Sequence, residues 1–568
     1  MRFVIYYSGC MGGITARSRK WVEGRAWRYE MRWAKLFPVV ILIAALLVVA
    51  APPAEAQVVA QVPVIESILP PVAWRGTPVA IQGSDFGLLQ IPGVSKVTFN
   101  GVDAGTAVIW SDTYIVVIVP DEATSGPVVV SNLFGDSAPY EFTVYDQPTA
   151  IPCYFAEGTT RAGFEEWLTL YNPYDVEHTA TVTYLVADGA NRIRYYNIPA
   201  HARVNVYINS EIGSDRDVSM VVTGTERLYA ERPMYFRYKE RWTGGHCSEP
   251  ALSTSNTWFF AEGTTRAGFE EWLCLANPGV VDANVQVTFM FSDGDAVTLP
   301  YTVPALKRYT VDVNATVGPD QDVAIKVASD QPIVAERPMY FSYRGVWDDG
   351  HITIGAPAAL NTWYFAEGTT RAGFEEWLCL ANPNGEEARV EVTYHLATGA
   401  EVKQYITVPA AKRRTVFVNS IIGPEQDVAI KVDSSHPVVA ERPMYFDYRS
   451  KWNGGTLCIG AAAPATAWFF AEGTTRSGFE EWLCLLNPGD AQTGVSVEYV
   501  FQDATTQTQD LLLAPGQRFS IFVNEVVGPG RDVAVWVESD QGIVTERSLY
   551  FSYHEAWDGG HSALGVAP

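Results

Sequence analysis

The chain has 568 residues, of which 48% are hydrophobic, 18% charged and 12% aromatic, a globular composition that leans towards strands and excludes disorder on a large scale. Its formal net charge is -24; without the eight Lys/Arg and three Asp/Glu of residues 1–56, 32 basic residues face 61 acidic ones, a balance of -29. A surface that acidic repels phosphate backbones and anionic lipids, so nucleic acid is not an expected partner.

Residues 1–56 read as a targeting segment. Arg32 and Lys35 precede an apolar run from Leu36 to Ala50, and the small-residue site Ala54-Glu55-Ala56 follows. A run of about 15 residues suits a signal peptide better than a membrane span of about 20. Cleavage is expected after Ala56, and the long stretch before Met31 suggests that Met31 is the true start. No second run of spanning length follows, so the mature chain is expected to carry no transmembrane segment and to be extracellular or held at the cell surface. Residues 57–61 are a short linker.

Residues 62–146 form strand-like runs separated by Gly, Pro, Asn and Asp turns. The stretch Ile65-Glu66-Ser67-Ile68 with Pro70, then Gly76 through Gly83 to Gly87, is followed by Val97-Thr98-Phe99-Asn100-Gly101, Tyr114 to Val119 closed by Pro120, Gly126 to Val130, and Phe142-Thr143-Val144. This order resembles the IPT/TIG domain. The resemblance implies an immunoglobulin-like sandwich used in extracellular proteins as a spacer or binding module. Gly83 and Gly87 bracket a turn where positive φ or close chain approach would strain a residue with a Cβ.

The remainder repeats with a period of 105. Glu157, Glu262, Glu367 and Glu472 each open a Glu-Gly-Thr-Thr-Arg segment, and Glu231, Glu336, Glu441 and Glu546 each open a Glu-Arg pair 74 residues later. Residues 362–383 differ from 257–278 only at Tyr364, which replaces Phe259. Four modules follow, 152–256, 257–361, 362–466 and 467–568. A unit of that length can bury its own core, unlike a solenoid repeat that needs its neighbours. Beads on a string are therefore expected, although the sequence leaves open whether modules touch.

In the second module, period-two alternation runs through Val285 to Phe291, Val297 to Val303, Tyr309 to Val313, Val323 to Val327 and Met339 to Tyr343. With Trp258 to Phe260 and Glu271 to Leu275 this makes about seven strands, and no segment sustains a 3.6 period. The expected class is all-β, tandem immunoglobulin-like antiparallel β-sandwiches. The Asn-Pro turn followed by three alternating strands resembles bacterial cell-adhesion domains. The Phe-Ala-Glu-Gly-Thr-Thr-Arg-Ala-Gly-Phe-Glu-Glu-Trp signature is similar to a repeat of secreted bacterial proteins, a resemblance that implies no activity.

Charged residues recur at fixed places in that signature: Glu157, Arg161, Glu165, Glu166, Glu231 and Arg232 in the first module, and Glu262, Arg266, Glu270, Glu271, Glu336 and Arg337 in the second. Glu367, Arg371, Glu375, Glu376, Glu441 and Arg442 follow in the third, and Glu472, Arg476, Glu480, Glu481, Glu546 and Arg547 in the fourth. On a strand Glu270 and Glu271 face opposite ways, so they cannot converge on one substrate atom. At least one of them opens an apolar row and needs a partner, for which Arg266 or Arg337 is the obvious mate. A structural Glu/Arg network is expected, with a polar ligand cradle and hydrolysis through Glu262 and Glu336 as the alternatives.

Other features carry less. His246, His351 and His561 close a Trp-x-x-Gly-His segment, but Thr456 stands in the third module, so a metal-ligand role is not expected and a loop-packing or exposed one is. Calcium is a possible ion at acidic turns such as Asp293-Gly294-Asp295 and Asp348-Asp349-Gly350, which lack EF-hand spacing; no other cofactor is expected. Cys274, Cys379 and Cys484 share one strand position where the first module has Thr169, which favours buried free thiols. Among the aromatics, Trp242, Trp347, Trp452 and Trp557, beside Gly-rich loops, are the candidate exposed ligand-binding residues. Recognised catalytic signatures are missing from the mature sequence. The expected function is a non-catalytic structural, adhesive or ligand-displaying surface or secreted protein. A carbohydrate-binding array on the cell envelope is the alternative, with a cell-envelope glycan or surface protein as partner, and a glycan-acting hydrolase comes third.

Overall fold

A computed structural model describes residues 61–69, 72–76, 78–145 and 151–567. The expected signal peptide, its cleavage point and the start at Met31 lie outside the described residues. Among the described residues no helix is long and apolar enough to cross a membrane.

The N-terminal domain is a sandwich. One sheet runs in the order Val64–Leu69, Pro78–Ser84, Tyr114–Ile118, Ile109–Trp110; the other is built on Tyr140–Tyr145, Gly126–Asn132 and Lys96–Phe99. Alternate residues Val79, Ile81, Ile115, Val117, Val97, Phe99, Val128 and Val130 meet between them. The glycines fit the reasoning from sequence: a Cβ on Gly83 would overlap the Val64 carbonyl, and Gly87 has φ +96°.

Each module is an antiparallel sandwich, as its alternation predicts. In the second, one half of the long strand Val323–Tyr343 pairs with Ala283–Phe291 and Ser255–Phe260, with Val297–Val303 outermost. Its other half pairs with Phe269–Asn277 and Trp347–Ile354, with Lys307–Asp312 outermost. The runs Val323–Val327 and Met339–Tyr343, read as two strands, are therefore one strand passing from sheet to sheet. Val313 begins a short helix, Val313–Val317, instead of ending a strand, and the Asp312 carboxylate accepts the Ala315 N–H at 2.8 Å and caps it. Asn314 ties this helix to the signature strand by accepting from the Glu271 N–H and donating to the Phe269 carbonyl.

The modules are not separate beads. The edge strands Trp242–Ser248, Trp347–Ile354, Trp452–Ile459 and Trp557–Leu564 pack against one another in cyclic order, the fourth returning to the first. Each module inserts a tyrosine between aromatic rings of the one before it. Tyr340 stacks on Tyr238 at 4.0 Å, Tyr445 on Tyr343 at 3.8 Å, Tyr550 on Tyr448 at 3.9 Å, and Tyr235 on Tyr553 at 3.7 Å. The last pair joins the fourth module to the first and closes the ring. The reason lies in the faces of the second-sheet hairpins: both are apolar, so each needs a cover that its own sandwich does not supply.

Candidate functional site

The repeated charged residues meet mainly between modules, with Arg337 also 3.1 Å from Glu262 of its own module. Arg232 pairs with Glu336 at 2.9 Å, Arg337 with Glu441 at 3.4 Å, Arg442 with Glu546 at 2.8 Å, and Arg547 with Glu231 at 3.1 Å. All eight side chains are buried, so each module presents a guanidinium to the next and a carboxylate to the previous one. A second layer follows: Arg308 with Glu157, Arg518 with Glu367 and Arg203 with Glu472 at 2.5–2.8 Å, while Arg413 donates instead to the Gly263 carbonyl. Burial pushes Glu441 up to about 7 against the pull of Arg337. These carboxylates are sealed from solvent and paired with guanidinium and backbone N–H groups, although Glu336 Oε1 and Glu441 Oε1 find no partner, an arrangement that suits locking modules together.

The adjacent glutamates separate as strand geometry requires. Glu270 accepts from the Tyr238 hydroxyl and Lys239 of the first module at 2.7 and 2.5 Å. Tyr343 serves Glu375, Tyr448 serves Glu480, and Tyr553 serves Glu165 in the same way. Glu166, Glu271, Glu376 and Glu481 point into the sandwich, where burial pushes each up to about 8. The glycine of the Glu-Gly-Thr-Thr segment is there for this carboxyl: a Cβ on Gly263 would lie 2.6 Å from Glu271 Oε1. Arg266, weighed above as a mate for these glutamates, instead meets Asp322 at 2.7 Å on the surface, as Arg161, Arg371 and Arg476 meet Asp217, Asp427 and Asp532.

At the centre of the ring a single carboxylate replaces a glycine. Asp349 Oδ1 accepts from the N–H groups of Gly245 and Gly350 at 3.1 and 2.8 Å, and Oδ2 from Gly455 and Gly560 at 3.1 and 3.3 Å, one from each module. Burial pushes its pKa up and the four N–H groups pull it back. The other modules have Gly244, Gly454 and Gly559 at this position, and a Cβ on Gly244 or Gly454 would overlap the Asp349 carboxylate. The Asp348-Asp349-Gly350 segment is thus part of an edge strand whose carboxylate is already filled by N–H donors, not an acidic turn open to calcium. His246, His351 and His561 also differ from expectation, because they are buried beside the axis. Burial and the nearby arginines hold them well below the ordinary histidine range. Among the described residues no cluster of His, Cys, Asp or Glu is placed to hold a metal ion.

Trp242 and Trp452 are buried and Trp347 and Trp557 half-buried, each against the tyrosine four residues earlier, such as Tyr238 under Trp242. None is the exposed platform that the neighbouring glycines suggest. Cys153, Cys247, Cys274, Cys379, Cys458 and Cys484 are buried free thiols.

Two clefts among the described residues bear on the site. One of about 530 Å³, mainly apolar, lies where the N-terminal domain meets the first two modules, between Val116 and Ile118 on one side and Tyr154 and Val221 on the other. The other, about 480 Å³, lies at the seam between the fourth and first modules and is lined by Trp167, Tyr553, Asn205, Arg476, Asp532 and His554 among others. Reasoning from sequence missed this cleft because its walls are 300 residues apart. The available signal was His554, which stands where the other modules have Lys239, Arg344 and Arg449.

Residues 63–144 match the IPT/TIG domain. That match fits a non-catalytic surface or ligand-binding role. No curated protein matches the chain in sequence. Among solved structures, the Thermotoga maritima protein 1070 is 22% identical over 18% of this chain and 94% of its own, with a TM-score of 0.17. The Anabaena sensory rhodopsin transducer is 31% identical over 15% of this chain and 91% of its own, TM-score 0.14. SGBP-B from a complex xyloglucan utilization locus in Bacteroides uniformis is 11% identical over 70% of this chain and 99% of its own, TM-score 0.14.

Proposed function

We propose that the protein is a non-catalytic secreted or surface protein that binds cell-envelope glycans on a rigid four-module platform, with the IPT/TIG domain at its N-terminal side. The observation that supports this reading most is the closed cycle of buried Arg–Glu pairs. It supports a role for Glu231, Glu336, Glu441 and Glu546 in holding the ring, buried away from the water that hydrolysis of a glycosidic bond requires. A rigid support with its binding groups already in place loses little conformational freedom when a ligand docks. Half-buried aromatics beside hydrogen-bonding side chains, as at the seam, suit sugars, whose rings have an apolar face and a polar rim.

The test is an array of cell-envelope glycans and surface proteins probed with the full chain, run beside an assay for released sugars. Saturable glycan binding without product is the expected result. Sugar release would make the protein an enzyme, and an array with no glycan bound would end the reading.

A further inference from the structure

We infer that the ring carries one ligand site per chain, at the seam between the fourth and first modules, and that this site takes an uncharged pyranose chain. The inference rests on the glycan reading and adds the place, the stoichiometry and the charge of the ligand. It follows from comparing four junctions that share one geometry.

At the three junctions joined by the chain, a long basic side chain reaches over the interface tyrosine to the signature glutamate of the next module. Lys239 meets Glu270 at 2.5 Å, Arg344 meets Glu375 at 2.8 Å, and Arg449 meets Glu480 at 2.9 Å. Each also lies over its tyrosine, at 5.1–5.3 Å from the centre of the ring. At the seam the residue is His554, whose shorter ring packs on Tyr553 at 4.0 Å and stands 3.5 Å from Glu165. The side chain that covers the other junctions is cut back here, and the 480 Å³ cleft is in that place.

Three further differences alter the polar groups of the wall. Thr169 replaces the cysteine of the other modules, Asn205 replaces Thr310, Thr415 and Ser520, and Ser477 replaces Ala162, Ala267 and Ala372. Thr169 donates its one hydroxyl hydrogen to Glu472 at 2.6 Å, and Asn205 Oδ1 accepts from Arg203 at 3.2 Å. Two pairs of wall charges are matched, Arg203 with Glu472 at 2.5 Å and Arg476 with Asp532 at 2.6 Å, and the exposed Glu555 adds a carboxylate at the rim, so the cleft disfavours an anionic ligand. Trp167 lines the cleft with an aromatic ring, and Tyr553, stacked on Tyr235, lines it beside His554. An apolar wall with a few fixed polar groups, in a volume within the usual range for small-molecule sites, suits two or three linked neutral hexoses.

The experiment is calorimetric titration of the full chain with cellotriose, a neutral chain of equatorial hexoses, and with trigalacturonate as its anionic counterpart. One site per chain is expected, with cellotriose preferred. His554→Arg restores the side chain found at the other junctions, so it is expected to keep or raise the melting temperature and weaken cellotriose binding at least tenfold. Asn205→Ala, at an exposed position, is expected to weaken it less. Four sites, a preference for the uronate, no cellotriose binding, or full affinity in His554→Arg would each overturn the inference. A glycan found on the array that binds His554→Arg unchanged would overturn it while leaving the glycan reading intact, whereas an array with no bound glycan ends both.

Discussion

Arg547 and Glu231 are 316 residues apart in sequence and 3.1 Å apart in space, and their contact exists only if the ring is closed. At an effective dielectric of about 20, two unit charges at that distance attract by roughly 5 kcal/mol, part of which offsets their desolvation. Glu231 also accepts the Glu472 N–H at 2.5 Å, and Arg547 donates to the Glu472 carbonyl, so either truncation leaves a buried partner unsatisfied. Glu231→Ala and Arg547→Ala are each expected to cost about 3–5 kcal/mol, and the double variant far less than their sum, giving a coupling of about 3 kcal/mol. Urea unfolding followed by tryptophan fluorescence measures all four corners of the cycle. Arg161 and Asp217, an exposed pair within the first module, serve as the control, with a coupling below about 1 kcal/mol. A coupling for Arg547 and Glu231 no larger than that of the control would refute ring closure.

Asp349→Gly strips four buried N–H groups of their acceptor and is expected to destabilise by roughly 2–4 kcal/mol; Gly454→Asp alone crowds two carboxylates, while the two changes together move one carboxylate around the axis and recover most of the loss in a thermal melt. Rescue that fails in the combined variant would refute the axial placement. Gly455→Ala would set a Cβ 2.8 Å from Phe341 of the previous module and is expected to cost about 1–3 kcal/mol. The carboxyls of Glu166, Glu271, Glu376 and Glu481 sit at about 8 in the folded chain against 4.5 when exposed, so the folded state holds more protons between those values. Their contribution is complete below about pH 4.5 and is lost as pH rises to about 8. His246, His351 and His561 act oppositely, since folded values well below 6.5 remove stability as pH falls beneath 6.5. A stability maximum in mildly acid solution is expected, and Glu376→Gln should raise the melting temperature at pH 9 while changing little at pH 5.

Much of the candidate site was legible as residue types but not as places. The strand face of Glu270 and Glu271 followed from alternation, but the expected mates Arg266 and Arg337 pair with Asp322 and with Glu262 and Glu441, while the buried Glu271 carboxyl forms no ion pair. What alternation could not supply was the identity of the partner, because Glu262 lies in the same module as Arg337 and Glu441 in the next. The Gly-Gly pairs in edge strands were a readable sign of close chain approach. They were read instead as loops that expose Trp242, Trp347, Trp452 and Trp557, and the same closeness buries those rings or half-buries them.

From the sequence alone came the all-β class, the IPT/TIG landmarks, the 105-residue period and six of the seven strands of a module, two of its runs being one strand and the Trp347–Ile354 edge strand being missed, since side-chain alternation and turn residues act over a few positions. Only the tertiary structure decided that four sandwiches form one ring, that one aspartate serves four glycines, and that the open cleft lies where the two ends of the array meet. Those features depend on which surfaces cover the exposed hairpin faces, and nearly identical modules offer nearly identical surfaces. The differences that matter, Asp349 for glycine and His554 for a long cation, acquire meaning only once the four copies stand around a common axis.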